Sequence, residues 1–186
     1  MGASTFLSSP TSRKGQGASL SWLWDTYELL GARFDHVWAW EATPYSTEEI
    51  WRGVPEDVKR RITYTNQPVS ATHNASTYPW SVLARHAREE DLVVVKLDID
   101  TLPIEEKLIH DLLHRKVRVA SEPRSPLKPL HKLVDVFFYE SHNTAPTMRA
   151  YWGKDVRGSG LASGLNDSYA LFSRLRELGV LAHSWI

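Results

Sequence analysis

Asp91-Leu92-Val93-Val94-Val95-Lys96-Leu97-Asp98-Ile99-Asp100-Thr101-Leu102-Pro103 is the stretch that decides the fold. Its run of apolar residues, three of them consecutive valines, carries no polar alternation. That is the habit of a strand covered on both faces in a parallel sheet. Lys96, Asp98 and Asp100 crowd the carboxyl end of the run, where open α/β sheets bind their ligands. Pro103 then opens a helical pattern to about His114. Ile104, Leu108 and Leu112 share its apolar face with Ile109 beside them, and Glu105 and Glu106 suit the positive end of the helix dipole.

Working outward, the same alternation continues. Upstream, Leu20, Leu23, Trp24, Tyr27 and Leu30 recur at helical spacing, with Ser19 as N-cap and Gly31 just past the end. His36 to Trp40 predicts a strand ending at Glu41. Ser46 or Thr47 caps a short helix through Trp51, which Gly53 and Pro55 break. Ile62 to Asn66 reads as a strand and Pro79 to Arg88 as a helix. Downstream, a basic loop spaced by prolines leads to a strand from Leu133 to Tyr139. A glycine-rich segment precedes a helix carrying Leu165, Tyr169, Phe172, Leu175 and Leu178. Gly179 closes that helix, and Val180 to Trp185 forms a last strand. Strands and helices in alternation mean an α/β fold with a mostly parallel sheet. No internal repeat is present, so one domain over residues 1–186 is expected, with 1–19 a loop or loose terminus.

Composition narrows the function classes. A chain of 186 residues can enclose a sizeable core. Lys plus Arg and Asp plus Glu stand at 22 each, so no overall field favours nucleic acid or an anionic membrane. No apolar run approaches the roughly 20 residues that span a bilayer. The first residues lack a signal-peptide pattern, and a cytoplasmic location is expected. The absence of cysteine excludes disulfides, thiolate metal sites and a cysteine nucleophile.

Asp98 and Asp100 lie two residues apart and point to the same side of a strand. A carboxylate pair so placed can hold a cation or act as a base, because mutual repulsion raises one pKa. The plainer reading is a pair holding loop amides, or Asp98 bound to Lys96. Glu140 and His142 end the next strand, where His142 could serve as a general base or be a loop histidine. His110-Asp111-Leu112-Leu113-His114 imitates the zinc pattern His-Glu-x-x-His. The aspartate is short for the glutamate's role and no third ligand is evident, so helix packing is the stronger reading. The basic residues from Arg115 to Lys132 lack the interleaved aromatics of a nucleic-acid surface and read as a solvated rim. Most of the eight tryptophans belong to the core, although Trp40 beside Glu41 could stack on an adenine.

The ordered motifs resemble the FkbM-type branch of S-adenosylmethionine-dependent methyltransferases. Gly2-Ala3-Ser4 is similar to the end of a first-strand motif. Trp38-Ala39-Trp40-Glu41-Ala42-Thr43-Pro44 resembles the second-strand motif, and Val95-Lys96-Leu97-Asp98-Ile99-Asp100 the Lys-x-Asp-x-Glu-Gly segment. Phe137-Phe138-Tyr139-Glu140-Ser141-His142 resembles the glutamate-ended fifth strand, and Leu181-Ala182-His183-Ser184-Trp185 the closing element. The resemblance implies a three-layer Rossmann-like methyltransferase fold. It further implies S-adenosylmethionine as cofactor, with Gly2, Ala3 and Ser4 at its amino-acid end and Glu41, with Ala42, at its ribose. Asp98, Asp100 or His142 would orient or deprotonate an oxygen or nitrogen acceptor on a small molecule or glycan. Two departures stand out. Asp100-Thr101 replaces Glu-Gly, and Met1 falls where the first strand should end, so an N-terminally truncated fold is expected. The alternative is a catalytically inactive binding or scaffold module of the same fold, since a missing strand leaves an edge that invites association. A third reading is a metal-dependent hydrolase built on Asp98, Asp100 and a nearby histidine.

Overall fold

The computed structural model describes residues 1–3, 5–6, 19–88, 90–120, 124, 126–140 and 165–185. The chain divides into two compact units, Met1–Val69 and Ser70–Ile186.

In the first unit, α1 (Ser19–Leu29) precedes β1 (Val37–Trp40), α2 (Thr47–Trp51), α3 (Glu56–Lys59) and β2 (Ile62–Thr65). β1 and β2 pair in parallel, Val37 opposite Ile62 and Trp40 opposite Thr65. Helix α2 starts on a full capping box, in which Ser46 accepts from the Glu49 N–H and the Glu49 carboxylate accepts from the Ser46 N–H. Phe6, Leu20, Trp24, Ala39, Val54, Val58 and Ile62 close the core of this unit. The expected helix ending at Gly31 is present. The Ala32 N–H reaches the Tyr27 carbonyl at 2.9 Å and the Gly31 N–H the Glu28 carbonyl at 3.0 Å. Gly31 adopts the left-handed φ of 78° that this end requires.

The second unit runs α4 (Pro79–His86), β3 (Val94–Leu97), α5 (Leu102–His114), β4 (Lys116–Val117), β5 (Lys128–Pro129), a 3-10 turn (Leu130–Leu133), β6 (Val136–Tyr139), α6 (Leu165–Glu177) and β7 (Leu181–Ser184). Its sheet has the order β3-β6-β7, and both pairings are parallel. Parallel neighbours need crossover connections, and α5 and α6 stand in those two positions. The decisive stretch therefore does form a parallel strand. It is shorter than expected because Leu92 lies outside the sheet and is exposed, and the Val93 N–H is taken by the Asp135 carboxylate at 2.8 Å. Leu97, Leu108, Leu112, Phe137, Tyr139, Leu175 and Ala182 are fully buried between this sheet and its helices. Trp80, on α4, donates its indole N–H to the Leu108 carbonyl at 3.0 Å, which ties that helix to α5.

The α/β class and the mostly parallel pairing are thus observed, with the strands in separate small sheets. Three elements differ from the sequence reading. Residues 130–133 form a 3-10 turn where the strand was expected to begin. The antiparallel β4–β5 pair and the four-residue α3 carry too few residues to show a period.

Candidate functional site

In the second unit, the carboxyl edge of the β3-β6-β7 sheet gathers the charged groups. Register places Lys96 opposite Phe138 and Phe138 opposite His183, so one row of side chains crosses one face of the sheet. Phe138 stacks on His183 at 5.3 Å between ring centroids and meets Trp185 edge-on at 6.0 Å. The Lys96 ammonium lies 5.0 Å from the Trp185 ring centroid and forms an ion pair with Asp98. Just past the strand ends, Asp98 and Glu140 in the first position and Asp100 in the third each bring a carboxylate oxygen within 4.8 Å of the others. The two expected acids, Asp98 and Asp100, are therefore brought together, and Glu140 joins them. His142 and Ser4 lie outside the described residues.

Asp98 and Glu140 share a hydrogen bond, and their acidities separate. Burial pushes Asp98 up, but the hydrogen bond from Glu140 and the adjacent Lys96 ammonium outweigh it and hold this carboxyl below its ordinary value. Burial, the same hydrogen bond, and the charges of Asp98 and Asp100 push Glu140 up to about 8. At neutral pH the Glu140 carboxylic acid donates to the Asp98 carboxylate. A pair of titratable groups driven apart in this way is the usual mark of an acid–base assignment.

The turn that carries Asp100 is held from below. Asp100 has φ 51°, in the left-handed region, and Thr101 follows it at φ −131°. Glu105, in the first turn of α5, accepts the Ile99 N–H at 2.9 Å and is fully buried. Glu105 does stand in the first turn of the helix, as expected, and it is buried there. Burial, then the charges of Asp98 and Asp100, push its carboxyl up to about 7, against the pull of the Ile99 N–H.

In the first unit, the expected cofactor residues meet at the carboxyl end of β1. The Ala3 N–H donates to the Trp40 carbonyl at 3.0 Å, which sets Gly2 and Ala3 beside Glu41 and Ala42. Gly2 has φ 70°. One Glu41 carboxylate oxygen accepts the Thr43 N–H at 2.8 Å. Asn66, which the sequence reading treated only as a strand end, pins this loop. Its amide donates to the Glu41 and Thr43 carbonyls at 2.9 and 2.6 Å and accepts the Tyr45 N–H at 2.8 Å.

The zinc-like pattern resolves differently. Asp111 accepts the Tyr78 hydroxyl at 2.7 Å and bonds His73 at 3.1 Å, so it is occupied in holding the loop before α4. His110 and His114 are exposed.

No family model matches the chain, and comparison with curated proteins and with solved structures found no significant match.

Proposed function

We propose that the chain is an S-adenosylmethionine-dependent, methyltransferase-like protein that acts on an oxygen or nitrogen acceptor. The observation that carries this reading is the Asp98–Glu140 pair, one carboxyl ionised and one protonated, at the carboxyl ends of adjacent parallel strands. In support, the donor set at the end of β1 fits a nucleoside. Glu41 is an anionic acceptor suited to ribose hydroxyls, and Gly2 beside it has no side chain to bar a close approach.

When bound, S-adenosylmethionine supplies an electrophilic methyl group. Glu41 would accept the ribose hydroxyls and Gly2 with Ala3 would line its amino-acid end. Methyl transfer to a hydroxyl or amine requires the acceptor to lose a proton, and within the second unit the Asp98 carboxylate, hydrogen-bonded to Glu140, is a group that would accept a proton of that kind. The hydrogen bond from Glu140 and the Lys96 ammonium keep Asp98 ionised, and the half-buried Phe138 and Trp185 rings, set edge-on to one another, give the same face apolar surface for an acceptor. Glu140 becomes a second carboxylate above about pH 8, so transfer rises with pH through that value.

The test is release of the demethylated cofactor product in the presence of hydroxyl-bearing glycans and amines. Turnover that Asp98→Asn abolishes supports the reading. Cofactor binding without turnover on any acceptor instead favours the inactive binding-module alternative, for which Asp100-Thr101 in place of Glu-Gly is the motivating feature.

A further inference from the structure

We propose that His110 and His114 form a two-imidazole chelate for a divalent late transition metal on the exposed face of α5. Residues four apart on a helix are neighbours on its surface, and these two rings already meet, with centroids 4.8 Å apart at an interplanar angle of 53°. Neither ring is needed for packing. The buried stripe of this helix is Glu105, Leu108, Ile109 and Leu112, and both histidines stand off it, exposed. The scaffold beneath them is ordered to its end, since the Arg115 N–H closes on the Asp111 carbonyl at 2.8 Å. His114 sits in the last turn, where the negative end of the helix dipole favours a bound cation.

The donor chemistry selects the metal. Neutral imidazoles suit zinc, nickel and copper, whereas carboxylates such as Asp98, Asp100 and Glu140 suit magnesium, calcium or manganese. The two groups are therefore separable by metal preference. The His pair is also not the hydrolytic zinc site its spacing imitates, because Asp111, which follows the first histidine where that pattern has its glutamate, is committed to Tyr78 and His73. Zinc takes four ligands, so two positions remain for water or for a donor from another molecule.

Calorimetric titration of the full chain with zinc chloride, with magnesium chloride in parallel, tests this. The expected result is one zinc per chain and a shift of the His110 and His114 ring resonances on binding. His110→Ala and His114→Ala should each weaken zinc by at least the roughly 10- to 100-fold that loss of an outer-shell partner costs. An Asp98→Asn/Glu140→Gln chain should bind zinc unchanged. Both histidines are exposed, so the alanine variants should keep the metal-free melting temperature, which separates loss of the site from loss of the fold. Absence of zinc binding at neutral pH, zinc binding that survives both alanine changes, or zinc lost only with the carboxylates would each overturn the proposal.

Discussion

Two carboxyl groups that water would ionise near the same pH take opposite states at the ends of β3 and β6. The cause is local. Asp98 has the Lys96 ammonium against it, whereas at Glu140 burial, the hydrogen bond with Asp98 and the charges of Asp98 and Asp100 outweigh the pull of Lys96. Carbon-13 NMR titration should find the Glu140 carboxyl ionising near pH 8. Asp98→Asn should bring that midpoint down towards the ordinary glutamate value, since it removes a neighbouring charge. Stability follows the same groups. Glu140 and Glu105 both have pKa values raised above those of the unfolded chain, to about 8 and about 7. Their contribution is complete below the unfolded pKa and is lost as pH rises through the folded one. Thermal unfolding should therefore show stability falling between about pH 5 and 8, and Glu105→Gln, which keeps the acceptor for Ile99, should flatten the part between about pH 5 and 7. A profile unchanged by that substitution would count against the buried Glu105 carboxyl as its source. The acids at the end of β3 were legible in the sequence. Their pairing with Glu140 was not, because it depends on Leu97 lying opposite Tyr139, and no residue type announces a register.

At the scale of elements, α5 shows both how far periodicity reaches and where it was misread. Leu108, Ile109 and Leu112 are buried as their spacing predicts. Glu105 falls on the same stripe, three and four residues before Leu108 and Ile109. The signal for its burial was therefore present, and its charge and its place in the first turn masked it. Ile104, assigned to the apolar face, is only half-buried. Leu108→Ala in this packed core should cost roughly 2–5 kcal/mol of stability, measured by denaturant unfolding. The last helix ends on the same motif as the first. The Val180 N–H reaches the Leu175 carbonyl at 3.0 Å, with Gly179 at φ 93°. A Cβ there meets nothing closer than the Lys132 ammonium at 3.9 Å, so Gly179→Ala should cost only the backbone term of about 1–2 kcal/mol. A larger loss would mean that the helix end is held by contacts beyond its own backbone. The short hairpin and the 3-10 turn before β6 were not legible, since two to four residues are too few to display a period.

At the scale of the whole molecule, parallel pairing dominates, as the strand–helix alternation predicts, but the pairs form a two-stranded and a three-stranded sheet. Long-range pairing is the feature local sequence specifies least, because it is decided by tertiary packing. Among the described residues no helix is long and apolar enough to cross a membrane. The central claim is that a nucleoside cofactor binds at Glu41, and calorimetric titration with S-adenosylmethionine and its demethylated product tests it most directly. The account predicts saturable micromolar binding by the folded chain that Glu41→Ala abolishes while leaving the melting temperature nearly unchanged. A folded chain that binds neither compound, or binds them equally well without the Glu41 carboxylate, would contradict it.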